Sequence, residues 1–263
     1  MSRANGPQDP QGAARLNTTD ASILITGGTG GLGTAVVRRF LAAGWRVVVP
    51  WVHPPDDDWI PGQESLIHPN QDSSQLRPAA LQLLEADLFD ADSVRRVADC
   101  AAADDGRPLR AVANLVGGFA MGAKVHETPV EEFESQLRLN LRATYLVSQA
   151  TVPHLIAAGG GAITCVSSRA ALRPFAGAAG YITSKLALLG LVDSLAAEYL
   201  TAGVRVNAVL PSVIDTPGNR AGQPDADHSR WVSPDQIAEV LFFLSSSAAS
   251  VISGAHIPVY GRA

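Results

Sequence analysis

Short apolar runs alternate with longer segments of helical periodicity from Ser22 to the end of the chain. This alternation is typical of βαβ units, in which a helix connects two parallel strands. Seven runs are predicted to be strands, at 22–26, 46–50, 81–85, 111–116, 162–167, 204–209 and 256–259. Helices are predicted at 31–43, 91–103, 130–157, 178–201 and 234–246. The pattern predicts an α/β fold built on one Rossmann-type, doubly wound parallel sheet of about seven strands.

The boundaries of this domain follow from length and composition. A chain of 263 residues suits one α/β domain better than two, and the domain is predicted to cover 21–263. Residues 1–20 are rich in Gly, Pro and polar side chains and have no apolar segment of a signal peptide, so a flexible tail is predicted there. The five prolines within 51–80 forbid most of a crossover helix, and an irregular loop is predicted for that segment.

Charge and cysteine content exclude several classes of function. The formal net charge is −5, whereas nucleic-acid-binding proteins usually carry a basic face, so no nucleic-acid partner is expected. The longest apolar stretches are shorter than the roughly 20 residues of a membrane span, and no membrane association is expected. Cys100 and Cys165 are far apart in apolar surroundings, which favours neither a disulfide nor a metal site. A cytoplasmic protein without a bound metal is predicted.

A glycine cluster, TGGTGGLG, follows the first predicted strand and begins the first predicted helix. Glycine allows a positive φ and lets a pyrophosphate approach the backbone, while the helix N-terminus offers free N–H groups. In this position between strand and helix, the cluster predicts a dinucleotide site. No lysine follows, which excludes a P-loop. A turn packed tightly for structural reasons alone is the alternative interpretation.

The segment YITSK places Tyr181 and Lys185 one helical turn apart on the same face of a predicted helix. A neighbouring ammonium favours the phenolate and lowers the pKa of a tyrosine, so Tyr181 is a candidate general acid and base. Only two of the 20 basic residues are lysines, Lys124 and Lys185, which suggests that a retained lysine is needed for its primary amine. Ser168 follows a predicted strand at the carboxyl edge of the sheet, where its hydroxyl can hold a carbonyl oxygen.

Taken in order, the motifs resemble those of the short-chain dehydrogenase/reductase family. They are TGGTGGLG, ADL (86–88), NLVG (114–117), Asn140, the pair Ser167–Ser168 and YITSK. The resemblance covers roughly residues 22–262 and is to the shorter, single-domain branch of the family. It implies an oxidoreductase that transfers hydride between a nicotinamide cofactor and a small carbonyl or alcohol substrate.

The resemblance also implies roles for four residues. Tyr181 is the catalytic acid and base, and Lys185 binds the nicotinamide ribose and lowers the pKa of Tyr181. Ser168 orients the substrate carbonyl, and Asn140 supports a water molecule in a proton relay. Two alternatives stay open from the residues alone. Asn140 caps a local kink in its helix, or Ser167 replaces Ser168, although the spacing to Tyr181 favours Ser168.

For the cofactor, the resemblance places the phosphates at Gly27–Gly33, called the glycine turn below. It places the adenine beside Asp87 and Leu88, and the adenosine ribose near Asn114 and Gly117. The segment PSVIDT (211–216) is similar to the family motif PGxIxT, which holds the nicotinamide carboxamide. The predicted cofactor-binding residues are Gly27, Thr29, Gly30, Gly31, Leu32, Gly33, Trp51, Asp87, Leu88, Asn114, Gly117, Tyr181, Lys185, Ile214 and Thr216.

The sequence does not specify NAD or NADP at the end of the second predicted strand. A carboxylate there would bind the ribose 2′-hydroxyl of NAD, and an arginine would accept the 2′-phosphate of NADP, but the sequence has Trp51, Val52 and His53. The other position where the family carries a basic residue is Gly30. The absence of an adjacent carboxylate favours NADP, although Asp56–Asp58 lie close in sequence.

Two other functions stay open. One is a catalytically idle dinucleotide-binding protein with a regulatory or scaffold role, and the other is a nucleotide-sugar epimerase, whose TGxxGxxG pattern the glycine turn also fits. The segments VGGF (116–119) and PSVIDTPGNR (211–220) are similar to bacterial reductases related to dihydropteridine reductases. Phe119–Gly122, Leu172–Phe175 and the loop after the sixth strand are expected to line a small-molecule pocket. The resemblance implies a homodimer or homotetramer in which helices pair between subunits.

Overall fold

The structure, a computed structural model, describes residues 20–55, 59 and 80–262. Its strands are β1 (Ser22–Thr26), β2 (Arg46–Trp51), β3 (Leu81–Glu85), β4 (Leu109–Asn114), β5 (Gly161–Val166), β6 (Val204–Pro211) and β7 (His256–Val259). They form one parallel sheet in the order β3-β2-β1-β4-β5-β6-β7. The winding direction reverses between β1 and β4, and ligands bind in such sheets beyond the carboxyl ends of the strands at this point. The predicted Rossmann-type sheet is confirmed.

Helices cover both faces of the sheet. They are α1 (Gly31–Ala42), α2 (Ala91–Ala102), α3 (Val130–Leu137), α4 (Ala143–Ala157), α5 (Ala179–Tyr199), α6 (Pro217–Gly222) and α7 (Pro234–Ser245). On one face, α1 packs on β1 and β2 and α7 packs on β4, β5 and β6, and together they bury Phe40 and Leu241. On the other, α2, α4 and α5 bury Val97, Leu155 and Leu188. Strands covered on both faces are buried along their whole length, as β1 is, which explains why the strand segments of the sequence are mostly apolar.

The segment predicted as a helix at 130–157 is helical over these bounds, but it is not one regular α-helix. A π-helical turn at Arg138–Arg142 separates α3 from α4. This wider turn carries Asn140, which is completely buried and bonds through its side-chain amide to the backbone of Gly118. The contact joins residues 22 positions apart, and helical periodicity carries no information about it.

Two sequence predictions concern residues outside the described part of the chain. The flexible tail falls on 1–19, and most of the irregular loop falls on 56–58 and 60–79. Residues 52–55 of that loop are described, and they contain neither helix nor strand. Among the described residues, no helix is long and apolar enough to cross a membrane.

Candidate active site

The glycine turn after β1 is shaped by close backbone contacts. Gly27 has a φ of +67°, and a Cβ atom there would lie 3.1 Å from the backbone nitrogen of Val116. A Cβ on Gly33 would lie 2.1 Å from the carbonyl oxygen of Gly27, which is closer than any real contact. The turn therefore requires glycine at both positions, because α1 begins directly against the end of β1 and the segment after β4.

A cavity of about 430 Å³ opens between this turn and the carboxyl ends of β4 and β5. All six predicted residues of the glycine turn line it, together with Gly117, Tyr181, Lys185 and Ile214. The N-terminus of α1 faces the cavity and has no side-chain cap at Gly30, and first-turn N–H groups have no partner within a helix. A wall of glycine backbone beside free N–H groups fits the pyrophosphate of a dinucleotide.

Five predicted cofactor-binding residues are not on the wall of this cavity. Trp51 ends β2 beside Glu85 of β3, and the exposed Asp87 accepts a hydrogen bond from the Phe89 N–H at 2.8 Å. Leu88 is buried in the apolar cluster around α2. Thr216 instead supports the turn, since a Cβ on Gly31 would lie 2.9 Å from its methyl group.

Asn114, the fifth of these residues, is buried at the end of β4. Its amide nitrogen lies 3.9 Å from the sulfur of Cys165 on β5, and its side-chain oxygen is buried without a hydrogen-bond partner. This position links the ends of two neighbouring strands below the cavity. The adenosine-binding role that the resemblance implies for Asn114 stays a prediction.

Tyr181 lies in the first turn of α5, half-buried, with its ring edge-on to Phe119 at a centroid separation of 5.0 Å. Burial raises the pKa of Tyr181, and a hydrogen bond with Ser168 opposes that increase. Burial determines the direction of this shift, and Lys185 is not among its causes, so the lowering of the Tyr181 pKa by Lys185 that the resemblance implies stays a prediction.

Lys185 is buried one turn further along α5 and lines the cavity. Its Nζ donates a hydrogen bond to the carbonyl oxygen of Val166 at 3.0 Å. Burial lowers the pKa of Lys185 to about 8, and the nearby thiol of Cys165 opposes the decrease. A Cβ on Gly117 would lie 2.9 Å from Nζ, so the ammonium reaches the cavity wall through the space that this glycine leaves.

The structure separates the two candidate serines. The hydroxyl of Ser167 is buried and donates to the carbonyl oxygen of Lys185 at 2.8 Å, which ties α5 to the end of β5. Ser168 is only half-buried, accepts a hydrogen bond from the Ala170 N–H at 3.1 Å, and bonds to Tyr181. Of the two, Ser168 is therefore the one placed beside the Tyr181 hydroxyl.

Two residues that the sequence did not single out, Asn219 and Trp59, also belong to the site. Thr216 caps α6 by accepting from the Asn219 N–H, with Pro217 at the first helical position. This places Asn219 on the cavity wall, where its Nδ2 donates to the carbonyl oxygen of Ile214 at 2.8 Å. The Thr-Pro pair is the sequence signal that could have predicted this helix.

Trp59 is the second such residue. Its indole N–H donates to the hydroxyl of Thr34 at 2.8 Å, and Thr34 donates to the carbonyl oxygen of Gly30. A side chain from the proline-rich segment thus contacts the first turn of α1, next to the glycine turn. Periodicity could not predict this, since the segment has no regular pattern.

Comparisons with known proteins agree with this geometry. A family model described as short chain dehydrogenase matches residues 21–227. The chain is 32% identical over 249 residues to D-threitol dehydrogenase of Mycolicibacterium smegmatis, covering 90% of each chain. It is 29% identical to 2-(R)-hydroxypropyl-CoM dehydrogenase of Xanthobacter autotrophicus, covering 90% of this chain and 96% of that one. A solved short-chain type dehydrogenase/reductase from Mycobacterium ulcerans superposes with a TM-score of 0.82 at 27% identity, covering 94% of this chain and 90% of that one.

Proposed function

The chain belongs to the short-chain dehydrogenase/reductase family, and we propose that Tyr181 is the general acid and base of its reaction. The protein is a nicotinamide-dependent oxidoreductase that acts on an alcohol or carbonyl group, and its cofactor is NAD or NADP. When bound, the nicotinamide supplies or accepts the hydride. The chain itself must bind the substrate, orient it and move one proton.

One observation carries the assignment of the proton to Tyr181. Among the described residues that line the cavity beside the glycine turn, only Tyr181 and Lys185 have titratable side chains. Both residues line the cavity, but the Lys185 Nζ already donates a hydrogen bond to the backbone of Val166, whereas the Tyr181 hydroxyl meets the Ser168 side chain. The phenol is thus the acidic group best placed to meet a substrate oxygen.

The residues act together in the reducing direction. Ser168 donates a hydrogen bond to the substrate carbonyl oxygen, and Tyr181 gives that oxygen a proton as hydride reaches the carbonyl carbon. The C=O bond becomes CH–OH, and Tyr181 is left as phenolate. The ammonium of Lys185 then stabilises the phenolate and binds the cofactor ribose, a role for which a compact primary amine suits better than a guanidinium. Oxidation of the alcohol reverses each step.

Asn140 is proposed to position this machinery. Its side chain fixes Gly118, next to the Gly117 position through which Lys185 reaches the cavity. In this role Asn140 supports the proton relay by holding the wall in place. The sequence allowed two interpretations of Asn140, a cap of a local kink in the helix and a functional role. The two are therefore compatible.

We propose NADP as the preferred cofactor. The described residues that follow β2, Val52–Pro55, contain no carboxylate that would repel a 2′-phosphate, and Trp51 and His53 flank the same end of the sheet. Fluorescence titration of the purified protein with NADP and NAD tests this preference directly. Tighter binding of NADP supports it, and tighter binding of NAD contradicts it.

A screen of alcohols and carbonyl compounds, with each cofactor in turn, tests the oxidoreductase assignment through the absorbance of the reduced nicotinamide. Turnover that disappears in Tyr181→Phe supports the proposal. Tight cofactor binding with no turnover of any compound would instead favour a scaffold role, and NAD retained through purification would favour an epimerase.

We also propose that the protein is a homodimer or homotetramer. Tyr145 on α4 and Leu186 on α5 are large apolar side chains exposed on the two helices that the family pairs between subunits. Burying such side chains against a second copy is favourable. Light scattering after size-exclusion chromatography gives the molar mass, and a monomer would contradict this proposal.

A further inference from the structure

A second cavity, of about 770 Å³, lies on the other side of Tyr181 between the loop after β4, helix α3 and the start of α5. In the part of the chain that the structure describes, Tyr181 is the one residue that lines both this cavity and the cavity beside the glycine turn. The candidate acid and base therefore stands at the boundary between a site that fits a dinucleotide and a space large enough for a drug-sized molecule.

The walls of this second cavity are mainly apolar. Met121, Val125 and Val130 line it and are between 59% and 72% exposed, and Phe133 lies among them. Exposed apolar side chains gathered in one place are typical of a binding surface. Apart from Tyr181, the only titratable side chain among the described lining residues is Glu132, and no lysine, arginine or histidine contributes to the wall.

The cavity is held open by backbone contacts between its two walls. The Gly122 N–H donates to the carbonyl oxygen of Gly177 at 2.7 Å, which joins the loop after β4 to the segment before α5. A Cβ on Gly180 would lie 3.2 Å from the Cα of Phe133, so α3 and α5 approach each other closely on the opposite side. Because the cavity is already formed, binding a ligand in it costs little free energy for ordering side chains and loops.

We propose that this cavity binds the uncharged, apolar body of the substrate, an aliphatic or aromatic group carried by the secondary alcohol, ketone or aldehyde whose oxygen meets Tyr181. This inference rests on the proposed function. A carboxylate or sulfonate on that body would meet Glu132 and no compensating cation. A polyol would leave some of its hydroxyl groups against Met121, Val125, Val130 and Phe133, which costs free energy, while Thr128, Ser135, Gln136 and Thr183 are the lining side chains that could bond to the others.

A kinetic series with the full-length enzyme tests the proposal. From butan-2-ol to octan-2-ol, kcat/KM is expected to rise about fourfold for each added methylene that becomes buried. Reduction of para-tolualdehyde is expected to exceed that of para-carboxybenzaldehyde by about tenfold or more. A flat series, or preference for the charged aldehyde, would overturn the proposal while leaving the role of Tyr181 intact if Tyr181→Phe still abolishes turnover.

Val130→Asp and Val251→Asp form a matched pair of variants. Val130 is the first residue of α3, where a carboxylate is favourable to the helix, so the substitution changes the cavity wall without breaking the fold. Val251 is 94% exposed and lies outside the wall. Val130→Asp is expected to flatten the alcohol series and Val251→Asp to preserve it; the same slope in both variants would overturn the proposal.

Two further measurements keep the proposal independent of turnover and of assembly. Hexanamide, an inert carbonyl compound, is expected to bind Val130→Asp about fivefold or more weakly than the wild type in calorimetry with cofactor present. Equal affinities would overturn the proposal even if no substrate were turned over. A lower molar mass of Val130→Asp with unchanged substrate preference would show that a second copy covers the cavity, which would also overturn it.

Discussion

The side-chain amide of Asn140 bonds to both backbone groups of Gly118. Its Oδ1 accepts the Gly118 N–H at 3.0 Å, and its Nδ2 donates to the Gly118 carbonyl oxygen at 3.1 Å. Gly117 and Gly118 line the cavity beside the glycine turn, so one buried amide in a π-helical turn fixes the wall next to Lys185. The interruption of the helix therefore has a structural purpose at the site.

Asn140→Ala is expected to lower the free energy of unfolding by about 1–3 kcal/mol, since both backbone groups of Gly118 lose their partner. Cofactor affinity is expected to fall as well, because the cavity wall loosens. Urea unfolding and fluorescence titration measure the two effects. Gln136→Ala is the control, because Gln136 accepts a hydrogen bond from the Asn140 Nδ2 at 3.4 Å and its removal leaves both bonds from Asn140 to Gly118 in place. Unchanged stability and affinity in Asn140→Ala would contradict the positioning role.

Ser168→Ala is expected to shift the pH profile of alcohol oxidation upwards. The reaction needs the Tyr181 phenolate, so its rate rises with pH through the pKa of Tyr181. The hydrogen bond with Ser168 lowers that pKa, and its removal moves the rise to higher pH. Ser167→Ala is the control, since Ser167 bonds to the backbone of Lys185 instead. A profile that does not move in Ser168→Ala would contradict the assignment.

Lys185→Met is expected to unfold less easily at neutral pH while losing activity. Burial lowers the pKa of Lys185 from 10.5 to about 8, so between these values the unfolded chain holds more protons than the folded one. The free energy of unfolding of the wild type therefore rises with pH across this window. Below it, the folded state bears the full free-energy cost of burying the charged ammonium. The free energy of unfolding of Lys185→Met is expected to exceed that of the wild type by about 1–3 kcal/mol at pH 7 and not to rise with pH across this window. Equal pH dependence in the two proteins would contradict the prediction.

Lys185→Arg tests whether charge alone is enough at this position. The Nζ atom lies where a Cβ on Gly117 would be only 2.9 Å away, so the larger planar guanidinium has no room beside the wall. Turnover is expected to fall about a hundredfold or more, with weaker cofactor binding. Steady-state kinetics of the folded variant, verified by circular dichroism, gives the result, and wild-type kinetics would contradict it.

The sequence predicted the elements that depend on local pattern. Each strand is a mostly apolar run, and β1, β3 and β7 match their predicted ranges. β4 begins at Leu109, two residues earlier than predicted. The charged Arg110 interrupts the apolar run at this point, so the sequence pattern did not indicate a strand there. In the structure, the Arg110 guanidinium donates a hydrogen bond to the Gly160 carbonyl oxygen. The spacing in YITSK likewise predicted that Tyr181 and Lys185 line one site.

Contacts between distant parts of the chain could not be predicted in the same way. The π-helical turn depends on the bond from Asn140 to Gly118, and the position of Lys185 depends on the carbonyl oxygen of Val166. The direction of the pKa shift of Tyr181 follows from burial, which the one-turn spacing to Lys185 does not reveal. These features arise from packing between elements, so neither periodicity nor motif spacing contains them.

The kinetics of Tyr181→Phe with the best alcohol or carbonyl substrate test the central claim most directly. The substitution removes one oxygen and keeps the ring that packs edge-on against Phe119, so the fold and the cofactor affinity are expected to stay unchanged. Without the proton donor, kcat is expected to fall on the order of a thousandfold. A variant that binds the cofactor normally and turns over at the wild-type rate would contradict the proposed mechanism.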